Sequence, residues 1–214
     1  NMEDITLRAL RILSEVDYVL CEDTRVTGKL LAHHGIKAKL KRYDAHASDA
    51  VHETVLADLA ADQKIALVSD AGTPGVSDPG VLLVGQARAQ GTRIDAVPGA
   101  SALTAALSIA GVTGNQFTFL GFVPHKKGRQ TFFNTITEYD HPVLFFESTH
   151  RIIKTLEALQ NLSVNRKVLL GRELTKLHEE MLCGSAAELL ELLSTQPVKQ
   201  KGEFVVILTL EATP

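Results

Sequence analysis

Residues 69–80 read Ser-Asp-Ala-Gly-Thr-Pro-Gly-Val-Ser-Asp-Pro-Gly and separate an apolar run at residues 65–68 from a second apolar run that begins at Val81. The first run is typical of a buried parallel strand, and the second of a helix that Asp78 and Pro79 are expected to open. Strand-to-helix connections usually take about two to six residues, so this one is long. Open parallel sheets bind ligands at the carboxyl ends of their strands, so the loop predicts a ligand site; a plain surface turn is the alternative.

The composition is that of a globular protein with a sizeable core. The chain has 214 residues, of which 45% are hydrophobic, and a formal net charge of -3. This charge argues against a broadly basic nucleic-acid-binding surface, although it is compatible with a local basic patch. Cys21 and Cys183 lack paired spacing, so we expect both to be buried in a reducing cytoplasm, with no disulfide and no metal site. No apolar run approaches the roughly 20 residues of a membrane span, so we expect no membrane association.

The pattern of elements predicts two α/β domains. Strands are expected at residues 18–21, 39–43, 65–68 and 94–97, and they alternate with helices, the first of which Asp4 is expected to cap. This alternation indicates a parallel sheet with helices on both faces. The sequence pattern changes near residues 113–116, and further strands are expected at residues 117–120, 143–146, 167–170 and 204–208. We therefore predict domains at residues 1–115 and 116–214.

Three strand-to-helix junctions of the first domain carry polar residues, at positions 22–25, 70–78 and 98–101. In a parallel sheet these junctions open at the same edge, so they are expected to line one cleft. Solvated strand ends and a tight turn at Pro98 are the alternatives. Neither of the glycine-rich fingerprints for phosphates or dinucleotides is present.

The second domain offers a basic loop and an acidic strand end. Lys126, Lys127 and Arg129 form either a solvated loop or a contact to an RNA backbone. His150 and Arg151 lie at a helix start, where the helix dipole does not favour a cation, and this favours a functional reason for them. Glu147 ends a strongly apolar strand, so it is either a cleft group or the partner of a neighbouring arginine.

Seven motifs that occur in order along nearly the whole chain are similar to those of one family. They are Asn-x-Glu-Asp-Ile-Thr (1–6), Cys-Glu-Asp-Thr-Arg (21–25), Ser-Asp-Ala-Gly-Thr-Pro (69–74), Ser-Asp-Pro-Gly (77–80), Pro-Gly-x-Ser-Ala (98–102), Glu-Ser-Thr-His-Arg (147–151) and Arg-Glu-Leu-Thr-Lys (172–176). The chain resembles the ribosomal RNA small-subunit methyltransferase I family, a branch of the tetrapyrrole methylase superfamily. The last two of these motifs, at 147–151 and 172–176, distinguish this branch from the cobalamin and siroheme methylases.

The resemblance implies a two-domain tetrapyrrole methylase-like fold, with a largely parallel sheet in the first domain and a mixed sheet in the second. It also implies S-adenosylmethionine in the cleft between the domains, a homodimer, and 2′-O-methylation of a cytidine in 16S rRNA near the decoding centre. By motif position, the cofactor is expected to contact Gly72, Thr73, Pro74, Val76, Ser101, Ala102, Ser148, Thr149, Leu174 and Thr175. The family places a strand and a Pro-x-Gly turn ahead of the motif at Asn1, and this sequence has neither, so we expect the first domain to lack its first strand.

A ribose hydroxyl needs to lose its proton during methyl transfer, and a strand-end acid, Asp23 or Glu147, is the expected acceptor. The substrate RNA is expected to contact Glu22, Arg25, Lys126, Lys127, Arg129, His150 and Arg151. Two other functions remain open at this point. One is methylation of a tetrapyrrole by the same cofactor, and the other is a ribosome-binding module without activity.

Overall fold

The computed structural model describes residues 1–112, 115–162 and 166–210. Its contacts divide the chain into two units, Asn1–Ser101 and Ala102–Pro214. The division falls before the expected residue 115, because the helix that follows Ser101 packs on the second sheet. Ala106 of this helix is fully buried in a cluster with Leu144, Val205 and Ile207.

The first unit alternates helices and strands after a short 3₁₀ turn at Met2–Asp4. In chain order it contains α1 (Leu7–Glu15), β1 (Tyr18–Cys21), α2 (Thr24–His33), β2 (Leu40–Arg42), α3 (Asp49–Ala60), β3 (Ile65–Leu67) and α4 (Val81–Ala89). The three strands pair in parallel in the order β2-β1-β3, which confirms the expected parallel sheet.

Strand β1 carries the core of this unit on both of its faces. Tyr18 and Leu20 pack in a cluster with residues of α3 and α4, whereas Val19 packs with Leu13 and Leu31 from α1 and α2. Successive side chains of a strand point to opposite faces, so a continuous apolar run serves a sheet that is covered on both sides. Cys21 is buried, as expected.

Both helix starts differ from expectation. Thr6 caps α1 by accepting a hydrogen bond from the backbone N–H of Ala9, so Asp4 is not the cap. Helix α4 begins at Val81 behind Gly80, whose φ is +113°. A Cβ on Gly80 would lie 2.3 Å from the Leu67 side chain, so glycine is needed where the loop crosses β3. The chain turns there, one residue beyond Pro79, and Asp78 does not open the helix.

The strand expected at residues 94–97 does not form, since within the described ranges this segment pairs with no strand. Ile94 and Val97 are exposed, and the Ala96 carbonyl accepts a hydrogen bond from Arg8 at 2.5 Å. An apolar run becomes a strand only when a neighbouring strand takes up its backbone groups.

The second unit surrounds a five-stranded mixed sheet. In chain order it contains α5 (Ala102–Ala110), β4 (Thr118–Phe122), α6 (Arg129–Ile136), β5 (Val143–Ser148), α7 (Ile152–Asn161), β6 (Arg166–Arg172), β7 (Glu180–Gly184), α8 (Ala186–Thr195), a 3₁₀ turn (Pro197–Gln200) and β8 (Glu203–Leu210). The strand order is β4-β5-β8-β6-β7, and β4 and β5 are parallel while the other pairs are antiparallel. This confirms the expected mixed sheet.

Strand β7 has no counterpart in the sequence-based expectation. It lies at the edge of the sheet, and there Cys183 is exposed rather than buried. The apolar run of this strand, Met181–Cys183, is three residues long, shorter than the four- and five-residue runs that reveal β1, β5 and β8. Helix α8 begins with a capping box formed by Ser185 and Glu188.

Candidate active site

The polar junctions of the first unit meet at one edge of its sheet. The loops after β1 and β3 join through two backbone donors: the N–H of Asp23 donates to Asp70 at 3.2 Å, and the N–H of Asp70 donates to Glu22 at 3.2 Å. The third junction joins the same loop, because the Thr73 hydroxyl donates to the Ala100 carbonyl at 3.2 Å. The expected convergence of these three junctions is therefore confirmed.

Asp78 has an unusual environment within this edge. Its partial burial, and then the negative charge of Glu22, raise the pKa of Asp78 to about 6. A carboxyl group with a pKa near the working pH is suited to accept and release a proton. We expected Asp78 to open a helix and to lie in the polar junction at residues 70–78, but its raised pKa was not anticipated; a second aspartate in the loop, eight residues after Asp70, was the available signal.

Asp23 is occupied by its neighbours. It caps α2 and accepts hydrogen bonds from the Arg25 backbone at 2.8 Å and from two nitrogens of the Arg25 guanidinium at 3.0 and 2.6 Å. These bonds, led by that of the Arg25 side chain, lower the pKa of Asp23 below its usual range. A carboxylate stabilised in this way is a weak proton acceptor.

The loop at residues 69–80 turns sharply and keeps its expected cofactor residues accessible. Gly72 and Gly75 have φ values of +75° and +80°, in the left-handed region that glycine enters without strain. Gly72, Thr73 and Val76 are exposed, and Pro74 is half-buried. A Cβ on Gly72 would meet open space, so backbone groups at this position are open to a ligand.

Glu147 lies at the end of β5 and is 1% exposed. Its carboxylate accepts hydrogen bonds from the Ser148 N–H at 2.8 Å and the Thr155 hydroxyl at 2.6 Å. It also pairs with Arg151 at 2.9 Å and more distantly with Arg129 at 3.8 Å. These contacts make Glu147 the centre of a buried ionic cluster, and such a carboxylate is poorly placed to take a proton from a substrate.

The basic residues of the second unit gather after the carboxyl ends of the parallel strands β4 and β5. Arg151 joins the two loops by donating to the Val123 carbonyl at 2.6 Å. The side chains of Arg129 and Arg151 are only 21% and 15% exposed, because they serve the Glu147 cluster. Their expected role as RNA contacts finds no support in this geometry. The exposed basic residues of these loops are His125, Lys126, Lys127 and His150.

A turn ahead of β8 joins the two loops of this unit that were expected to contact the cofactor. The Thr149 hydroxyl accepts a hydrogen bond from the Gly202 N–H at 2.9 Å and donates to the Gly202 carbonyl at 2.7 Å. From the other side, Glu173 accepts from the Glu203 N–H at 2.9 Å, and Lys176 pairs with both glutamates at 3.1 and 2.8 Å.

The second of these loops has a strained backbone. Glu173 and Thr175 have φ values of +49° and +63°, which are unusual for residues with a Cβ and especially for a β-branched one. Such conformations cost about 1–3 kcal/mol each and are typical of ligand-binding segments. Leu174, between them, packs against the apolar cluster under α5 and lies 3.1 Å from the Cβ position of Gly171.

A cavity of about 280 Å³ lies in the first unit between α3 and α4, outside the residues expected to bind the cofactor. His52 in its wall bonds to Tyr43 at 2.8 Å and to the Gln86 side chain at 2.6 Å. With the Gln86 oxygen assigned as acceptor, Nε2 carries the proton and Tyr43 donates to Nδ1. His52 is therefore a packed residue that links α3 to α4.

Within residues 1–112, 115–162 and 166–210, no group of three or more His, Cys, Asp or Glu side chains could hold a metal ion. None of the helices in these ranges is long and apolar enough to cross a membrane.

The sequence is similar to one family of proteins over almost its full length. Residues 1–190 match the family model described as Tetrapyrrole (Corrin/Porphyrin) Methylases. A relative from Escherichia coli O157:H7, named ribosomal RNA small subunit methyltransferase I, is 44% identical over 97% of this chain and 73% of its own length. The protein of the same name from Thermotoga maritima is 39% identical over 98% of this chain and 93% of its own length.

Solved structures show the same fold at low sequence identity. Diphthine synthase matches with a TM-score of 0.77 and 15% identity, covering 99% of this chain and 86% of its own. Cobalt precorrin-4 methyltransferase matches with a TM-score of 0.70 and 16% identity, covering 98% of this chain and 90% of its own. Uroporphyrin-III C-methyltransferase from Thermus thermophilus, solved with S-adenosyl homocysteine, matches with a TM-score of 0.63 and 20% identity, covering 97% of this chain and 91% of its own.

Proposed function

Since the chain belongs to the ribosomal RNA small subunit methyltransferase I family, within the tetrapyrrole methylases, we propose that it methylates the 2′-hydroxyl of a cytidine in 16S rRNA near the decoding centre. The methyl donor is S-adenosylmethionine. The observation that carries the proposal is the 44% identity to a named rRNA methyltransferase across 97% of the chain. We also propose that the protein acts in the cytoplasm as a homodimer.

The residues present fit S-adenosylmethionine. This ligand combines an adenosine and an amino acid with a positively charged sulfonium, so it needs backbone hydrogen-bonding groups and negative charge nearby. The loop at residues 69–80 offers open backbone at Gly72, and the edge beside it carries Glu22, Asp70 and Asp78. Thr175 and Ser148 are the polar contacts proposed in the second unit. When bound, the cofactor supplies the activated methyl group.

Asp78 is the acid that we propose as the proton acceptor. Methyl transfer is an in-line displacement, so the protein holds the ribose oxygen in line and removes its proton as it reacts. Asp78 is partly exposed at the edge that carries the cofactor loop, and its raised pKa suits proton transfer. Asp23 and Glu147, the acids expected from the sequence, are held by Arg25 and by the buried ionic cluster.

The substrate RNA is proposed to bind the exposed basic residues of the second unit. Lys126, Lys127 and His150 follow the carboxyl ends of β4 and β5, and their loops are tied together by Arg151. In the first unit, Arg25 has an 86% exposed side chain and remains a proposed phosphate contact beside Glu22. Phosphate contacts of this kind position an RNA without reading its sequence.

The experiment is transfer of a radiolabelled methyl group from S-adenosylmethionine to purified small ribosomal subunits that lack the modification. After digestion of the rRNA to nucleosides, the label is expected in 2′-O-methylcytidine. Small subunits that already carry the modification are the control and are expected to take up no label. Label on a base, or transfer to a porphyrinoid and none to rRNA, would contradict the proposal.

A further inference from the structure

Phe122 is an aromatic side chain that the proposed function leaves unused. It ends the edge strand β4, and 51% of it is exposed. Its exposure follows from an irregularity in the strand: Phe119 pairs with Leu144, but Phe122 pairs with Phe146, so one extra residue is inserted between them. Gly121, in this bulge, has a φ of +68°. Bulges are often found beside functional sites, where they re-aim a side chain.

The ring of Phe122 is held in place on its inner side. Its centroid lies 5.2 Å from that of Phe146 at an interplanar angle of 60°, and Phe146 in turn contacts Phe119 at 4.8 Å. A ring that packs on other rings on one side and faces solvent on the other loses little conformational entropy when it binds a ligand. Such a surface is suited to stack on a planar ligand.

Positive charge follows the ring directly along the chain. Residues 122–129 contain His125, Lys126, Lys127 and Arg129 and no acidic residue. The loop is anchored at both ends, because Arg151 bonds to the Val123 carbonyl at 2.6 Å and Arg129 donates to the Thr155 hydroxyl at 3.0 Å. The exposed lysines are therefore kept close to the exposed ring.

We propose that Phe122 stacks on an unpaired base of the RNA substrate while Lys126 and Lys127 contact the adjoining phosphates. Exposed aromatic rings combined with basic side chains are the usual means of binding single-stranded nucleic acid. Phosphates complement the charge of the loop, and a base complements the ring. This inference rests on the proposed function, since it assigns a subsite for the same RNA.

The test measures binding of a fluorescein-labelled single-stranded decacytidylate by fluorescence anisotropy. Stacking on one aromatic ring contributes enough that F122L is expected to weaken binding about tenfold. F122Y keeps the ring and is expected to bind like the unchanged protein. F117L is the matched control, because Phe117 is also an exposed phenylalanine, 45% exposed, but precedes β4.

Salt dependence separates the ring from the lysines. The slope of log K against log salt falls by about 0.7 for each phosphate contact that is lost on a single strand, so K126A/K127A is expected to reduce it by about 1.4. F122L is expected to leave the slope unchanged. Decacytidylate binding by F122L within twofold of the unchanged protein overturns the inference, as does a change of oligomeric state in F122L, which would mark an interface between copies.

Titration with S-adenosylmethionine distinguishes failure of the inference from failure of the proposed function. All of these variants are expected to bind the cofactor like the unchanged protein. If methyl transfer to small subunits occurs and F122L binds RNA normally, the inference fails and the function stands. If F122L loses RNA binding while no preparation methylates rRNA, the stacking subsite stands and the proposed reaction fails.

Discussion

Asp78 is the acidic residue whose surroundings best suit proton transfer, and its replacement separates chemistry from binding. D78N keeps the shape of the side chain but removes the basic carboxylate. Because general-base catalysis contributes about 10²–10⁴-fold, we expect kcat to fall by at least 10² with a change of less than threefold in cofactor affinity. Single-turnover methylation and calorimetric titration measure the two quantities. D95N, at an exposed aspartate, is the control; equal turnover in both variants would exclude Asp78.

The raised pKa of Asp78 also predicts how stability depends on pH. The folded protein holds this carboxyl at a pKa of about 6 against an ordinary value of 3.8, so ionisation of Asp78 opposes folding. This destabilisation is absent below about pH 4, develops as the pH rises and is complete above about pH 6. D78N is therefore expected to raise the free energy of unfolding more at pH 7.5 than at pH 4, as measured by urea denaturation. An equal effect at both values would contradict the assignment.

Glu147 contributes to stability rather than to turnover. Removing one member of a buried ion pair leaves the other charge uncompensated, so E147Q is expected to lower the free energy of unfolding by about 3 kcal/mol. Arg151, 2.9 Å away, and Arg129 would lose their carboxylate partner. E157Q, at an exposed position of α7, is expected to change stability by less than about 0.5 kcal/mol. Denaturant titration of both variants measures these changes in the free energy of unfolding. An E147Q variant that is stable but inactive would make Glu147 a catalytic candidate again.

At the scale of elements, the turn ahead of β8 holds two loops in place at once. A Cβ on Gly202, whose φ is +115°, would lie 2.5 Å from the Glu173 side chain. G202A is therefore expected to displace the loop at Glu173 and to weaken cofactor binding about tenfold or more. Gly35 has a φ of +68° and open space around its Cβ position, so G35A carries a similar backbone strain without a collision. Calorimetric titration with S-adenosylmethionine compares the cofactor affinities of G202A and G35A. Each variant is titrated at a temperature equally far below its own melting temperature.

Substitutions of Thr149 test the same turn through its hydrogen bonds to Gly202. T149V removes both hydrogen bonds to Gly202, whereas T149S keeps the hydroxyl. We expect T149V to weaken cofactor binding and T149S to restore it. Equal affinity of T149V and T149S would show that the hydroxyl does not position the loop.

At the scale of the whole molecule, cofactor binding is expected to stabilise the folded chain. A ligand that binds only the native state adds RT ln(1 + [L]/Kd), which is about 2.7 kcal/mol at one hundred times Kd. S-adenosylmethionine and S-adenosylhomocysteine are therefore expected to raise the melting temperature in a concentration-dependent way, while ATP is not. A melting temperature that is independent of S-adenosylmethionine up to millimolar concentration would contradict cofactor binding by this chain.

The sequence by itself determined the fold class, the family and most central elements. Buried strands such as β1 and β8 are continuous apolar runs, and the capping box at Ser185 is a local signal, so neighbouring residues specify both. The family motifs are likewise short and contiguous. Where an element depends on a partner, the sequence was insufficient: residues 94–97 have strand composition but no pairing within the described ranges, and β7 has pairing but only a three-residue apolar run.

Only the tertiary structure decided the states of the site residues. Glu147 and Asp78 are both acids of strand-to-helix junctions in the sequence, yet one is enclosed by arginines and the other shares an edge with further carboxylates. Thr149 and Gly202 are in contact although they are 53 positions apart in the sequence, and no local sequence pattern predicts this contact. Charge state, burial and strain depend on which distant side chains meet, because electrostatic and packing energies are set by distance in space rather than along the chain.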